Sequence, residues 1–223
     1  MTRRVLVVAA HSDDEALGCG GTIARHAAEG DIVHVTFLTN GVGARGVETV
    51  DARVADRRHA AERALAVLGV TSSSHFDFPD NGLDNVALLD VVQSIEPVIA
   101  NFKPDTIYTH FAHDLNVDHR ICHQAVLTAC RPQPSHPVRA IYEFEVASST
   151  EWSFSETTFQ PQHFVDISQY FDTKLRALSE YDEELRPPPH PRSEVSIEAL
   201  ARWRGANVGC AMAEAFRVVR QII

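Results

Sequence analysis

The chain has 223 residues, and Asp and Glu outnumber Lys and Arg by 30 to 20, which gives a formal net charge of −10 at pH 7. This length suits one large domain, and the acidic balance argues against a general binder of nucleic acid or anionic membranes. The longest apolar runs are only strand-sized, and no apolar signal segment precedes them, so we expect a cytoplasmic protein without a membrane span. The four cysteines are scattered without a C-x-x-C pair, which argues against structural disulfides and a zinc ribbon.

The first predicted element is a strand that ends in a cluster of reactive side chains. Residues 5–10 form a continuous apolar run, typical of a strand buried on both faces of a parallel sheet. The sequence HSDDE follows at 11–15, then a glycine-rich segment at 18–21 and a helical pattern at 22–29. Ligands of open α/β sheets bind beyond the carboxyl ends of the strands, so this stretch lies where an active site is expected.

Two other interpretations of this stretch remain. The carboxylates could be a solvated turn in which Ser12 or Asp13 caps the helix. The glycines could belong to a dinucleotide-binding loop, but G-x-G-G does not match G-x-G-x-x-G, and the preceding carboxylates would repel a pyrophosphate.

Strands and helices alternate along the next part of the chain. The predicted strands are 31–38, 75–78, 106–109 and 140–146, and the predicted helices are 51–68, 86–102 and about 118–129. A loop at 39–43 is expected at the same sheet edge as the first cluster, and Gly69 is expected to end the helix before it. This alternation predicts an α/β fold, a three-layer Rossmann-like arrangement with a mostly parallel sheet flanked by helices.

The composition changes after about residue 148, where loop-like sequence begins. We therefore predict a catalytic core at 1–147 and a C-terminal extension of loops and helices at 148–223. The extension should pack on the core and cover the site, within a single domain overall. Inside it the sequence predicts a strand at 163–167, a helix at 172–185, a proline-rich break at 187–192 and a final helix at 193–216.

A second reactive cluster, HFAHDLNVDHR at 110–120, follows another predicted strand. If the two strands are parallel neighbours, their loops meet at one sheet edge, and His11 and Asp14 then face His119. Two imidazoles, one carboxylate and an open position are the ligand set of a catalytic metal site. A lone histidine at 119 would be a surface residue about as often as a ligand, and the joint pattern is what favours a metal.

The residues beside this ligand set suggest the rest of the chemistry. A zinc ion with an open position holds water and lowers its pKa towards neutrality. Asp13 can point away from the metal because a turn rotates successive side chains apart, and an unligated carboxylate near a metal-bound water is a general base. Asp118 could orient a metal ligand by hydrogen-bonding to it from outside the ligand set.

The order of these motifs resembles the P/A-H-x-D-D-E signature of the PIG-L / LmbE-like N-deacetylases. The resemblance starts at HSDDE and GCGGT, continues at Arg57 and at 79–83, and returns at 118–120, so that it covers the first two thirds of the chain. These relatives are zinc enzymes that remove acetyl groups from N-acetylglucosamine-type sugars. The tail, at 148–152 and 189–193, looks like the branch found in bacterial surface-polysaccharide and sugar natural-product pathways.

The resemblance implies roles for individual residues. It implies that His11, Asp14 and His119 bind zinc, with Fe²⁺ or another divalent metal as alternatives. Asp13 would act as the base and later as the acid to the leaving amine. The resemblance also implies substrate contacts, which we expect from Arg57, Asp80 and Asn81.

The chain departs from the family pattern at Asn116, where many members have a histidine that helps to stabilise the oxyanion. Asn116 can donate a neutral hydrogen bond but cannot carry the charge of an imidazolium, so His113 or His110 could supply that function instead, or the metal could act mostly alone. Ser12 replaces the commoner proline, a milder change that affects the rigidity of the turn.

The sequence therefore predicts a metal-dependent amidohydrolase that removes the N-acetyl group from a small-molecule acetamido sugar, nucleotide- or lipid-linked, and yields acetate and a free amine. A non-haem Fe(II) oxygenase is an alternative, because such enzymes use a His/carboxylate/His set, often with H-x-D, which His11 and Asp13 also satisfy. A non-catalytic sugar-nucleotide binder is another, and the presence of Asp13 argues against it. Homo-oligomerisation is left open.

The proline-bounded segment 187–192 carries the last candidate residues, His190 and Arg192. It could be a plain linker between two helices. Alternatively it folds over the mouth of the site and presents Arg192, together with His190, to a phosphate of the substrate. An acidic protein needs specific cations for such a group, and the planar fork of arginine can bond two phosphate oxygens at once.

Overall fold

A computed structural model describes residues 2–41, 50–154, 156–181 and 184–223. Within these ranges the chain forms one seven-stranded sheet with helices on both faces. The strands are β1 (Arg4–Ala9), β2 (Ile32–Thr39), β3 (Ser72–Phe78), β4 (Thr106–His110), β5 (Ala140–Phe144), β6 (His163–Asp166) and β7 (Ala213–Gln221). The helices are α1 (Asp14–Ala28), α2 (Val50–Leu68), α3 (Leu88–Phe102), α4 (Val117–Ala129), α5 (Phe171–Leu178) and α6 (Glu194–Ala206), with a short 3₁₀ turn at Leu83–Asn85.

The strand order is β3-β2-β1-β4-β5-β7-β6. The first five strands are parallel, and β7 runs antiparallel to both β5 and β6. The predicted fold class, a three-layer α/β arrangement with a mostly parallel sheet, is confirmed. None of the described helices has the length and apolar character needed to cross a membrane.

Two apolar layers explain why the sheet is buried on both faces. Along β1, Val5 and Val7 point into the layer formed with α1, α2, α5 and α6, whereas Leu6 and Val8 point into the layer formed with α3 and α4. Successive side chains of a strand face opposite sides of the sheet, so a central strand between two helical layers must be apolar at every position. This explains the continuous apolar run at the start of the sequence.

The predicted final helix at 193–216 is wrong in its second half. Helix α6 begins after Ser193, whose hydroxyl caps it by accepting a hydrogen bond from the Ser196 N–H at 3.2 Å. The helix ends at Ala206, and the chain turns through Gly209, which has a positive φ of 80°. Residues 213–221 then form β7, because the gap between β5 and β6 supplies backbone partners on both sides.

Two other helices also differ from the sequence-based bounds. Helix α3 begins at Leu88, two residues after the predicted start at 86, and it continues through Pro97. Helix α5 ends at Leu178, seven residues before the predicted end at 185. Gly69 follows α2 with a positive φ of 77°, the C-terminal conformation that was predicted for it.

The C-terminal segment is part of the sheet, because its strands β6 and β7 extend the sheet beyond β5.

Strands β1 and β4 are parallel neighbours, with Val5 opposite Thr106. The loops that follow β1 and β4 therefore leave the sheet at the same edge. This pairing brings together the two reactive clusters of the sequence.

Candidate active site

The turn after β1 carries the first cluster into the interior. Asp13 has φ 123° and ψ −28°, and its carbonyl oxygen accepts hydrogen bonds from the Ala16 and Leu17 N–H groups at 3.1 and 2.9 Å. Helix α1 begins at the next residue, Asp14. The sharp backbone turn at Asp13 sends the carboxylates of Asp13 and Asp14 in different directions.

His11, Asp14 and His119 converge on one point, as the sequence predicted. The Asp14 Oδ2 atom lies 3.1 Å from His11 Nδ1 and 3.3 Å from His119 Nε2, and these two ring nitrogens are 3.3 Å apart. All three side chains are buried. Their ligand atoms lie within 4.8 Å of one another, so this set can hold a metal ion.

The second nitrogen of each histidine faces a carboxylate. His11 Nε2 lies 3.1 Å from Asp118 Oδ2 and 3.3 Å from Asp80 Oδ1, and His119 Nδ1 lies 3.1 Å from Asp114 Oδ1. Carboxylates behind metal-binding histidines fix the tautomer and leave the opposite nitrogen for the metal. The donor set and its surroundings therefore fit a divalent metal of the kind that imidazole and carboxylate bind.

The charges of the cluster are strongly coupled. Burial disfavours the charged form of Asp14, but His119, His110 and His11 outweigh it and hold its pKa well below the ordinary value. Burial likewise opposes the charged form of His119, but Asp14 and Asp114 raise its pKa to about 9. The cluster thus contains an ionised carboxylate between two imidazoles, and a metal ion would replace the protons that they carry.

Asp13 lies beside this set but points elsewhere. Its Oδ2 atom is 2.8 Å from Arg192 Nη1, and its Oδ1 atom is 4.0 Å from Arg57 Nη2. Burial raises the pKa of Asp13 to about 6, although Arg192 acts in the opposite direction. Asp13 is therefore a buried carboxylate outside the convergent set, with a pKa close to neutrality.

Arg192 and Arg57 are joined through a buried carboxylate. Glu184 accepts from Arg192 Nη1 at 2.7 Å and from Arg57 Nη1 at 2.6 Å. Arg192 Nε donates to Ser148 Oγ, and Arg57 Nη2 donates to the Ser12 carbonyl. The Arg192 guanidinium is thus held by Asp13 and Glu184 at the wall of the cleft, and its contact with a substrate phosphate stays a prediction.

Asn116 is the N-cap of α4. Its Oδ1 atom accepts from the Asp118 N–H at 2.8 Å, and its Nδ2 donates to Asn81 Oδ1 at 3.2 Å. The Asp118 carboxylate accepts from the Leu83 N–H as well as lying against His11. Asn116 and Asn81 both face the cleft, whereas Asp118 is fully buried behind it.

The three other histidines of the sequence prediction do not reach the cleft. His113 is exposed, its carbonyl accepts a hydrogen bond from the Ser153 hydroxyl, and its ring makes an edge contact with Phe111. His110 is fully buried: its Nε2 accepts from the Ala10 N–H at 2.8 Å, and its ring stacks on that of His119. His190 accepts from the Arg192 N–H. None of the three is among the described residues of the cleft wall, because the fold uses each of them locally.

The cleft above the His11/Asp14/His119 set has a volume of about 580 Å³, within the range of small-molecule pockets. Its wall is predominantly polar and charged. Of the predicted loop at 39–43, Gly41 lies in this wall, and residues 42 and 43 lie outside the described ranges. The described lining residues are His11, Asp13, Gly41, Arg53, Asp56, Arg57, His59, Ala60, Arg63, Asp80, Asn81, Asn116, Glu180, Tyr181, Glu184 and Arg192.

Four residues that surround Asp13 and His119 were not predicted from the sequence: Glu15, Asp114, Tyr181 and Glu184. Asp114 belongs to the second cluster and Glu15 to the first, so a signal was present, but nothing in the sequence showed which partner either would meet. Tyr181 and Glu184 lie in the C-terminal segment, without a motif around them. Their proximity to Asp13 depends on how that segment packs.

The PIG-L family, described as GlcNAc-PI de-N-acetylase, matches residues 6–130. The match spans the elements that carry both reactive clusters and more than half of the chain. The chain therefore belongs to the PIG-L family.

Individual relatives agree with this assignment. An uncharacterized deacetylase of Escherichia coli, YaiS, is 31% identical over 184 residues, which are 79% of this chain and 89% of that protein. A probable N-acetyl-alpha-D-glucosaminyl L-malate deacetylase of Bacillus cereus is 28% identical over 214 residues, 91% of this chain and 94% of that protein. A relative with another activity, the 4-oxalmesaconate hydratase of Pseudomonas putida, is 29% identical over 195 residues, 79% and 72% of the two chains.

The fold is also that of a solved structure. The N,N'-diacetylchitobiose deacetylase of Pyrococcus horikoshii superposes with a TM-score of 0.79 at 19% identity, covering 98% of this chain and 84% of that one. At this identity the comparison shows a common fold.

Proposed function

We propose that the chain is a metal-dependent N-deacetylase that hydrolyses the acetamide of an N-acetylglucosamine-type sugar. The observation that carries this proposal is the buried His11/Asp14/His119 set beside Asp13, a carboxylate of the cleft wall that does not belong to the set. Relatives named as deacetylases of N-acetyl-alpha-D-glucosaminyl L-malate and of diacetylchitobiose support the substrate class.

The metal would be held by His11 Nδ1, His119 Nε2 and the Asp14 carboxylate, with Asp118 and Asp114 orienting the two rings. We infer zinc, because zinc commonly binds two histidines and one carboxylate in catalytic sites. Such an ion supplies Lewis acidity, which polarises a carbonyl oxygen and lowers the pKa of water. Proton transfer and substrate binding would be carried out by side chains of the protein.

Asp13 is the proton carrier in this mechanism. It accepts a proton from the attacking water and afterwards gives that proton to the nitrogen of the leaving amine. A pKa of about 6 suits both steps near neutral pH, because the carboxylate is mostly ionised before the reaction and is a usable acid afterwards. Arg192 fixes the carboxylate and balances its charge.

The sugar would bind in the cleft above these residues. Arg57, Asp80, Asn81 and Asn116 line it and offer hydrogen-bond donors and acceptors for hydroxyl groups. Asn116 Nδ2 is also the donor that we assign to the developing oxyanion. The sugar would be nucleotide- or lipid-linked, and the protein would act in the cytoplasm.

The geometry favours the hydrolase over the oxygenase. An H-x-D facial triad would need the Asp13 carboxylate at the metal, but that carboxylate contacts Arg192, and Asp14 occupies the convergent position. The presence of Asp13 as a buried carboxylate beside the convergent set argues against a binder without activity. Hydration of a carbon–carbon double bond is a further outcome to be tested, since one relative is a hydratase.

The deciding experiment is a substrate panel with the zinc-loaded protein. N-acetylglucosamine, N,N'-diacetylchitobiose, an N-acetylglucosaminyl malate, UDP-N-acetylglucosamine and 4-oxalmesaconate would be incubated with the wild type and with Asp13→Asn. Mass spectrometry should show loss of one acetyl group, with equimolar acetate, for the wild type only. Turnover of 4-oxalmesaconate without any deacetylation would contradict the proposal and favour a hydratase.

A further inference from the structure

The backbone at Asp13 is strained. Its φ of 123° lies in a region that residues with a side chain rarely adopt, and such a conformation persists only where the surrounding structure enforces it. The next residues continue as helix α1, so the strain is confined to one position. The contacts that enforce this conformation therefore also set the direction of the Asp13 carboxylate.

One of those contacts comes from Glu15. The Glu15 side chain is completely buried, and its Oε2 atom accepts a hydrogen bond from the Asp13 backbone N–H at 3.0 Å. A buried carboxylate is costly unless it is hydrogen-bonded, so its presence two residues from Asp13 calls for a specific reason. The deacetylase mechanism above does not use Glu15.

The other oxygen of Glu15 is bound by Tyr181, which belongs to the segment after α5. The Tyr181 hydroxyl donates to Glu15 Oε1 at 2.6 Å, and the tyrosine is 3% exposed at the wall of the cleft. Arg192, which pairs with the Asp13 carboxylate, and Glu184, which pairs with Arg192, lie further along the same segment. Two residues of this segment thus fix Asp13. Tyr181 holds its backbone through Glu15, and Arg192 holds its carboxylate.

We propose that Glu15 and Tyr181 are positioning residues: the Tyr181 hydroxyl locks Glu15, and Glu15 holds the Asp13 backbone so that its carboxylate is aimed at the reacting water. The role of Asp13 in this statement rests on the proposed function. The positioning itself is a property of the folded protein. A shift of the proton acceptor by a fraction of its hydrogen-bond length lowers the rate without weakening the binding of substrate.

Three variants remove these contacts to different extents. Tyr181→Phe removes one hydroxyl and keeps the ring. Glu15→Leu removes both contacts of the carboxylate. Glu15→Gln keeps both, because its carbonyl oxygen can accept from the Asp13 N–H and its amide can donate to the tyrosine oxygen. Tyr108→Phe is the matched control, since this tyrosine is also buried and bonded to a side chain, His26, outside the cleft wall.

The first readout is steady-state kinetics on N,N'-diacetylchitobiose, expressed per bound zinc. Tyr181→Phe should lower kcat about tenfold, which corresponds to about 1.4 kcal/mol of activation free energy, with little change in KM. Glu15→Leu should lower kcat further, Glu15→Gln should retain most of it, and Tyr108→Phe should match the wild type. Tyr181→Phe should have little further effect in the Glu15→Leu background, because both variants break the same link.

The second readout does not depend on activity. In crystal structures of Tyr181→Phe and Glu15→Leu, the Asp13 backbone should leave its positive φ or its carboxylate should leave Arg192, with zinc content unchanged. If no sugar is deacetylated by the wild type, the proposed function fails and this readout still tests the positioning. The inference is overturned if Asp13 is unmoved in both structures, or if Tyr181→Phe has the same effect on kcat with and without Glu15.

Discussion

At the scale of single residues, the adjacent carboxylates Asp13 and Asp14 have opposite environments. Asp14 lies between histidines, which hold its pKa well below the ordinary value, whereas burial raises the pKa of Asp13 to about 6. Neighbouring groups whose pKa values are driven apart in this way commonly divide the tasks of a site between them. The direction of each side chain, and not its type, decides which task it takes.

Replacing each carboxylate by its amide tests this division. Asp13→Asn should retain bound zinc and lose about 100-fold or more in turnover, the scale of general-base catalysis. Asp14→Asn should lose both zinc and turnover, because it removes a ligand. Elemental analysis and kinetics on the two purified proteins provide the comparison, and an equal loss of zinc from both would contradict the assignment.

Asp114 is the residue whose importance the sequence did not reveal. It is 1% exposed, lies against His119 Nδ1, and accepts hydrogen bonds from Ser149 and Thr150 of the C-terminal segment. Burial opposes the charged form of Asp114, but the contacts with His119, Ser149 and Thr150 outweigh it and lower the pKa of this carboxyl to about 2. Asp114 is therefore ionised at neutral pH. It therefore couples the orientation of His119 to the packing of the C-terminal segment.

Asp114→Ala should weaken zinc binding by about 10- to 100-fold, the usual effect of removing a carboxylate behind a metal-bound histidine. Competition with a chromogenic chelator measures the affinity. Asp84→Ala is the control, because Asp84 is exposed and its carboxylate contacts Asn85. Wild-type affinity in Asp114→Ala would mean that His119 is oriented by its stacking on His110 alone.

At the scale of elements, α1 is bent at Cys19, which has a non-helical φ of −146°. The bend leaves helical N–H groups without partners within the helix, and the carboxylate of Glu214 on β7 accepts from those of Gly21 and Thr22 at 3.0 and 2.7 Å. Lys174 on α5 pairs with the same carboxylate at 2.6 Å. The C-terminal elements thus stabilise the helix that starts at the site.

The glycines of α1 allow this close packing. A Cβ atom on Gly21 would lie 2.8 Å from the Ile167 Cβ, a rigid neighbour, whereas on Gly20 it would lie 3.3 Å from the flexible Lys174 Cγ. Gly21→Ala should therefore destabilise the protein by about 1–3 kcal/mol, the usual cost of overpacking. Gly20→Ala should change stability by less than about 1 kcal/mol, because the helix propensity of alanine offsets a mild contact. Urea unfolding compares the two; equal effects would contradict the packing argument.

At the scale of the whole molecule, the C-terminal residues are part of the sheet and of the site. Strands β6 and β7 extend the sheet beyond β5, and Ser149, Thr150, Tyr181 and Arg192 contact residues of the two reactive clusters. A boundary at 147/148 would cut through both. We therefore expect the two parts to fold as one unit.

A fragment of residues 1–147 tests this expectation. It should lack cooperative thermal unfolding and should not bind zinc tightly, because it exposes the β5 edge and the apolar layer beneath α5 and α6. Calorimetry and zinc titration of the fragment and of the full chain are the measurements. A fragment that melts cooperatively and binds zinc like the full chain would show that 1–147 is a self-sufficient domain.

The sequence by itself determined the α/β fold and predicted the convergence of His11, Asp14 and His119. The apolar run at 5–10 is typical of a doubly buried strand, and polar clusters at the ends of two strands meet at one edge if those strands are parallel neighbours. The structure supplied that condition, because β1 pairs with β4. Family resemblance added the substrate contacts expected of Arg57 and Asp80, which these local patterns do not specify.

Only the tertiary structure decided what surrounds those residues. The strand at 213–221 forms because β5 and β6 leave a place between them, whereas the sequence-based prediction extended the final helix to 216. Arg192 pairs with Asp13 instead of facing solvent, and Tyr181 reaches Glu15, because the C-terminal segment folds back over the first turn. Such contacts join residues far apart in sequence, and no local preference encodes which pair will meet.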